Sequence, residues 1–312
     1  MSPEITAVND QEARQQWLER RRAGIGGSDA PAILGLSPWK SPLALWAEKT
    51  GLVQEPNLEE LEYIEWGHIL EEPIAARYVK VTGRSLIDPG RFAIRTDPDR
   101  PWMHCTIDRE VEIAPSEPPK DGPGDLSIKN AGAYKAKDWE EEPPLLYQVQ
   151  LQHELAVTGL SWGSFAVLIG GNKFHWCDVP RNGRFISYLI EKEEEFWDRV
   201  QRGDPPPADA SDSTREVLLR LYPRDTGESK ELPPETFDWI ERRRAAKAAQ
   251  KAAEAELDQV ENLIKAAIGE ASIGLLGGIP AISWKHQHRD GYTVAPSDFR
   301  VLREIKPKKG AR

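Results

Sequence analysis

The 312 residues carry 41 Lys and Arg against 51 Asp and Glu, a formal charge of −10, and mean hydropathy is −0.58. No stretch nears the roughly 18 apolar residues that a membrane span needs, and the first residues (MSPEITAVNDQEARQQW) form no apolar signal segment. Two cysteines, Cys105 and Cys177, are too few for a disulfide framework or a paired-cysteine zinc site. The expectation is a soluble intracellular protein. Its charge is uneven, at −13 over residues 1–228 and +3 over residues 229–312. The negative total therefore does not exclude a local phosphate-binding surface.

Asp10 to Arg22 is rich in helix formers and ends at Gly24-Ile25-Gly26-Gly27. Ser28 and Asp29 are suitable N-caps for a short helix, and Ser41-Pro42 opens another that stops at Gly51. Leu58 to Val81 is the longest helical pattern of the first half, closed by Thr82-Gly83. Arg91–Arg95, Met103–Asp108 and Asp125–Lys129 then read as strands, with a Pro115–Pro123 loop between the last two. Leu145 to Val157 returns to helix. Ser164–Gly170 and Lys173–Val179 read as a hairpin, and Ser187 to Arg202 as a charged helix. This order suits an α/β or α+β core over residues 1–228.

A Pro-rich stretch from Gly203 to about Ser213 reads as a linker or surface loop. Residues 229–312 read as an appended arm: one long helix from Thr236 to Ile268, a small hairpin and a basic tail. Arg243, Lys247 and Lys251 form one stripe on that helix. The stripe suits DNA gripping, solubility or packing against another subunit. His286 and His288 alternate on an expected strand, without a third metal ligand nearby.

Four features could carry chemistry. They are Glu71 with neighbour Glu72 on the long helix, Asp108 at a strand end, the Asp125-Leu126-Ser127-Ile128-Lys129 strand, and Gln150 with Gln152. A strand's period of two puts Asp125, Ser127 and Lys129 on one face. Carboxylates at strand ends can hold Mg²⁺, which takes a few carboxylate oxygens and keeps several waters. A lysine beside the ion can position the attacking water and stabilise phosphate charge. Taken singly, each has a plainer reading as a turn residue, a solvated helix face or a cap.

In order, Gly24-Ile25-Gly26-Gly27-Ser28-Asp29-Ala30, Trp66-Gly67 with Leu70-Glu71, the Asp108 strand, Ile128-Lys129 and Gln150 with Gln152-His153 resemble the YqaJ-like viral recombinase family. That family includes phage lambda-type exonuclease, within the PD-(D/E)XK nuclease superfamily. The resemblance spans about residues 10 to 200. It implies an α/β fold with a PD-(D/E)XK restriction-endonuclease-like core, a central mixed sheet flanked by helices, followed here by a C-terminal helical arm. It further implies a metal-dependent DNA nuclease, a 5′-to-3′ double-strand exonuclease that leaves 3′ single strands for an annealing protein in phage-type recombination. The cofactor would be Mg²⁺ or Mn²⁺. The partners would be double-stranded DNA ends, with no membrane, in the cytoplasm of a bacterial host or phage-infected cell. Lambda-type relatives form trimeric rings.

By the same resemblance Asp108 and Glu71 are metal ligands, Lys129 is the motif lysine and Gln150 the motif glutamine. Arg22 and Ser28 resemble the pair that holds a 5′-terminal phosphate. Trp39 and Lys135 are further candidates for DNA contact. The chain departs from the pattern at Ser127, where the family places Glu, or sometimes Asp or Gln. Asp125 or Ser127 is then left to complete the metal shell. A working altered site, a weakened enzyme and an inactive DNA-end-binding or assembly protein all stand open, as does an endonuclease.

Overall fold

The computed structural model describes residues 3–55, 61–112, 122–289, 291, 300 and 302. It divides into two units, Met1–Pro223 and Arg224–Arg312. Most of the expected Pro115–Pro123 loop, the start of the Leu58–Val81 pattern and the basic tail lie outside the described residues.

In the first unit four helices precede the sheet: α1 (Pro3–Arg22), α2 (Ala30–Ile33), α3 (Pro42–Lys49) and α4 (Glu62–Thr82). Ser41 caps α3 by accepting from the Ala44 amide at 3.2 Å, as its Ser-Pro start predicts. Then come β1 (Ser85–Ile87), β2 (Arg95–Thr96), β3 (His104–Cys105), β4 (Arg109–Glu112), β5 (Gly124–Ala131), a 3₁₀ turn (Ala133–Trp139), α5 (Leu145–Thr158), β6 (Trp162–Ile169), β7 (Lys173–Pro180), α6 (Gly183–Arg202) and α7 (Asp212–Leu221). Five strands pair in the order β1-β4-β5-β6-β7. Only β5 and β6 are parallel, and α5 is the crossover that joins them.

The strand period sorts β5. Leu126 and Ile128 face α4, packing with Ile74, Ala75 and Tyr78. The opposite face of the sheet meets α5 and α6, where Leu151, Leu155 and Ile186 pack on Phe165 and Val167. Ser127 pairs with Phe165 and Lys129 with Val167, so the polar residues of β5 lie on this second face. The fold is thus α/β, a mixed sheet flanked by helices.

Several expected elements are redrawn. Of Arg91–Arg95 only Arg95 enters a strand. Phe92 instead packs on Trp17 of α1, with Arg91 over its ring. The expected Met103–Asp108 strand is shared between two sheets: β3 pairs with β2, whereas Asp108 lies just before β4 and does not end a strand. Short β1, β4 and α7 lie where the pattern announces no element. Asp29 occupies the N-cap position of α2, but its side chain makes no cap bond to that helix. Residues 284–289, including His286 and His288, are not a strand.

Two ionic contacts brace the sheet, the first between a buried arginine and an exposed aspartate, the second fully buried. Arg84 is 1% exposed, holds Asp178 with two hydrogen bonds of 2.7 Å, donates to the Tyr78 hydroxyl, and lies over the Trp162 and Trp176 rings. On the other face, the His153 ring of α5 meets Glu193 of α6 at 2.7 Å and the His104 carbonyl at 3.0 Å. Burial alone would lower the His153 pKa. The Glu193 carboxylate and the carbonyl outweigh it and raise the pKa to about 9, so the ring is an imidazolium at neutral pH.

The second unit holds α8 (Thr236–Ile268), a 33-residue helix with no buried residue, and the hairpin β8 (Ile273–Leu276) and β9 (Ile279–Ser283). Its helix has the bounds that the sequence predicts.

Arg84→Lys keeps the charge but loses the planar fork and the ring stacking, leaving a buried ammonium poorly paired. It should destabilise the protein by about 3 kcal/mol, measured as a lower urea midpoint at unchanged m-value; an unchanged midpoint would show that the bidentate pair contributes nothing.

Candidate active site

The Gly-rich turn is fixed first. Ile25 donates to the Trp102 carbonyl and accepts from the His104 amide. A Cβ at Gly24 would lie 2.4 Å from the Trp102 carbonyl oxygen, so only glycine fits there. Asp29 reaches back to accept from the Gly26 amide at 3.0 Å and pairs with Lys49 at 2.7 Å. Burial pushes the Asp29 carboxyl up, but Lys49, Arg21 and Lys40 together hold it well below the usual carboxylate range. The turn is thereby pressed on α5: a Cβ at Gly27 would sit 2.7 Å from Glu154 Oε1.

Beneath this turn lies a group of carboxylates. Asp108 Oδ2 accepts from the Ile128 amide at 2.7 Å, which fixes it beside β5. Asp125 is fully buried, and neither of its oxygens has a hydrogen-bond partner. Burial, then repulsion from Glu154 and Asp108, pushes its carboxyl well above the usual range, against the pull of Lys129 and Arg95. Glu154, 3% exposed, accepts from Gln150 Nε2 at 2.9 Å. Burial raises its pKa to about 7 despite Lys129 and Gln150, and Asp108 repels it further. Lys129 is half-buried, with its ammonium 5.2 Å from the centre of the Tyr147 ring.

The structure therefore brings together Asp108, Asp125, Lys129 and Gln150 from the expected set, with Ser127 buried between Asp125 and Lys129. It adds Glu154, which sequence reasoning missed. The signal was its spacing: Glu154 lies four residues after Gln150, on the same helical face. Glu71 is not brought in. Its partner is His68 on its own helix at 3.0 Å, and it is not among the leading charges felt by Asp125 or Glu154. Its neighbour Glu72 pairs with Arg109 at 3.1 Å.

Arg22 and Ser28 are not joined either. Ser28 Oγ accepts from Arg21 at 3.3 Å, and Arg21 lies 4.6 Å over the Trp17 ring. Arg22 lines a separate cleft of about 760 Å³ with Lys49 and Trp102. Trp39 and Lys135 border another cavity, of about 730 Å³, together with Tyr63, Tyr134, Trp139 and Tyr147. Trp139 stacks on Tyr147, the ring under Lys129, so an aromatic floor runs from the lysine into this cavity.

The donor set suits a hard divalent cation. Two buried carboxylates repel each other, and one has both oxygens unpartnered, a cost that a bound cation would remove. Among the described residues no three His, Cys, Asp or Glu side chains form a ready-made cage. Mg²⁺ does not require one, since it is commonly held by one or two carboxylates and completes its shell with water.

The αβββαβ order of α4, β1, β4, β5, α5 and β6, with acid and lysine side chains on the central strand, defines a protein of the PD-(D/E)XK class. The chain belongs to the YqaJ-like viral recombinase family: that domain's profile matches residues 16–161. YqaJ of Bacillus subtilis (strain 168) is 33% identical over 287 residues, 90% of this chain and 86% of that protein. Among solved structures, an alkaline exonuclease (LHK-Exo) from Laribacter hongkongensis is 16% identical, with a TM-score of 0.49, covering 67% of this chain and all of that one. The same enzyme in complex with dAMP gives 16% identity and a TM-score of 0.46, over 66% of this chain and 96% of that one.

A buried acid with a raised pKa favours folding at low pH, where it is neutral, and loses that advantage as pH rises through its folded value. Glu154 should therefore lower the stability of metal-free protein by about 3 kcal/mol as pH rises from about 4.5 to about 7. Glu154→Gln should flatten this fall in a pH series of urea unfolding; a wild-type curve that is already flat, or rises, would contradict the buried repulsion.

Proposed function

We propose that this chain is a metal-dependent deoxyribonuclease, a 5′-to-3′ exonuclease on double-stranded DNA that leaves 3′ single strands for recombination. The observation that carries this reading is Asp125, buried with two unpartnered oxygens beside Asp108, Glu154 and Lys129. Family membership and the order of the motifs support it.

On this reading Asp108 and Asp125, with Glu154 behind them, would hold Mg²⁺ or Mn²⁺, which when bound would supply Lewis-acid polarisation of a phosphoryl oxygen and ease deprotonation of an attacking water. Lys129 orients that water and neutralises charge developing on the phosphate. Gln150 fixes the Glu154 carboxylate by hydrogen bonding. Ser127 places no charge between Asp125 and Lys129. Glu71 is left out of the set because its carboxylate is engaged by His68.

Arg21, preoriented by Trp17, and Ser28 grip the terminal phosphate. The aromatic cavity takes unpaired bases. Of the cations at it, Lys40 and Lys135 pair with Glu48 and Asp138, and Arg220 donates to the Gln54 carbonyl, so stacking on Trp39 and Tyr134 does the binding there. The partners are DNA ends and a single-strand annealing protein, in the cytoplasm of a bacterial host.

The test is digestion of a 5′-phosphorylated linear duplex with Mg²⁺ or Mn²⁺. The wild-type protein should degrade it. Asp108→Asn and Lys129→Met should each lose about a hundredfold or more in rate, and Ser127→Glu should be slower than wild type because it crowds a fourth carboxylate into the group. An inert wild type revived by Ser127→Glu identifies a disabled nuclease. If all four are inert, the enzyme reading fails and a DNA-end-binding protein takes its place.

The two arginines separate on end chemistry. Arg21→Ala should erase the preference for 5′-phosphoryl over 5′-hydroxyl ends, by about tenfold, while Arg22→Ala keeps it. The opposite result would return the phosphate to the Arg22 cleft.

A further inference from the structure

Lys129 behaves unlike Lys40 and Lys49, which are also partly buried. Lys40 closes on Glu48 at 2.6 Å and Lys49 on Asp29 at 2.7 Å. Lys129 is drawn by two carboxylates, Asp125 and Glu154. Among the described contacts it nonetheless forms no ion pair or hydrogen bond with either. Its ammonium lies over the Tyr147 ring, 5.2 Å from the centre. A flexible four-carbon stem closes on a nearby carboxylate unless something else holds it, because the attraction grows as water is excluded. The face of an aromatic ring can do that holding, through its quadrupole, and does so best where the ammonium is partly desolvated.

The ring is itself fixed. Tyr147, Gln150 and Glu154 follow one another on α5 at spacings of three and four, so they share the helical face that crosses β5. Trp139, 3% exposed, stacks on Tyr147 with centroids 5.6 Å apart and planes 23° apart. It also meets Phe165 edge-on, at 5.8 Å and 75°. Phe165 is the β6 residue that pairs with Ser127. Two aromatic contacts thus tie the Tyr147 ring to the register of the strand that carries Lys129.

We propose that Tyr147 is a positioning residue: its ring holds the Lys129 ammonium off Asp125 and Glu154 and leaves their oxygens open to a divalent cation. A carboxylate partner for Lys129 would hold it equally well but would neutralise it. The uncharged ring holds the ammonium and keeps its full charge for a phosphate. Without the ring the lysine would close on Glu154 or Asp125 and compete with the cation for the same oxygens. The inference rests on the metal-dependent reading of this site and gives Tyr147 a part in it.

Mn²⁺ binding to the metal-free full chain, read from the free-ion signal in electron paramagnetic resonance, tests this without DNA or turnover. Tyr147→Leu should weaken binding about fivefold, and Tyr147→Phe, which keeps the ring, should stay within about twofold of the wild type. In a Lys129→Met background Tyr147→Leu should change nothing, since the lysine that it would release is gone. An equal loss with and without the lysine would make Tyr147 a packing residue of α5 and overturn the proposal. So would an unweakened affinity in Tyr147→Leu. Nuclear magnetic resonance of the metal-free protein with isotope-labelled lysine needs no variant at position 147, and Lys129→Arg assigns the signal. The ε-methylene protons of Lys129 should lie upfield of those of the other lysines, within the ring current of Tyr147; an ordinary position would overturn the proposal. A wild type that shows the upfield signal yet binds no Mn²⁺ keeps the hold of the ring on Lys129 and removes the metal-dependent reading itself.

Discussion

A carboxylate that cannot reach water sets the terms for the rest of this fold. Asp125 lies inside the sheet–helix layer with both oxygens unpartnered, and Glu154 lies close enough to raise its pKa further. An uncompensated buried charge costs several kcal/mol, and the elements around it must tolerate that without opening a path for water. They do so through other buried charges that are paired. Asp29 has Lys49 and the Gly26 amide, His153 has Glu193, and Arg84 has Asp178. These contacts join the Gly-rich turn to α3, α5 to α6, and the start of the sheet to its far edge. Stability is concentrated around the strained group, and the strain is placed where a cation would relieve it.

Geometry explains how the sequence pattern reaches this place. Strand β5 is flanked by β4 and β6, so both its faces are covered and only the period of two separates its apolar side from its polar side. Leu126 and Ile128 anchor it to α4, and that anchoring turns Asp125, Ser127 and Lys129 toward α5. Because α5 is the crossover between the two parallel strands, its inward face must pass over β5. That brings Gln150 and Glu154 across the strand's polar face. The Gly-rich turn closes the group from outside, at a distance only glycine allows.

Much of this was legible in the sequence, for physical reasons that can be named. Long periodic segments announced α4, α5, the β6–β7 hairpin and α8, because each satisfies its own backbone hydrogen bonds or pairs with its chain neighbour. The short strands were not legible. β4 sets Arg109, Glu110 and Glu112 around a single apolar residue, Val111, and β3 is too short for its alternation to register. Among site residues, Asp108, Asp125 and Lys129 could be read from strand period and motif order. Arg21 and Arg22 could not be told apart, because three arginines end α1 and each successive residue turns by about 100°. Only the position of Trp17, four residues before Arg21, distinguishes them, and it does so by stacking. Glu154 was hidden for a different reason. In sequence it is one more glutamate after Gln152-His153, and its importance comes from a turn more than a hundred residues earlier.

The serine at position 127 changes meaning in this setting. Taken as a motif position, it is a lost carboxylate. Taken as a position in space, it stands between Asp125 and Lys129 on a face that already holds Asp108 and Glu154, so carboxyl oxygens gather near Lys129 without one at 127. A glutamate at 127 would extend into the same volume and raise the repulsion that already pushes Asp125 and Glu154 upward. The short hydroxyl adds no charge beside these carboxylates. The relevant unit is the number of oxygens and the charge around Lys129, and a motif written along one strand cannot count the acid that arrives from the crossover helix.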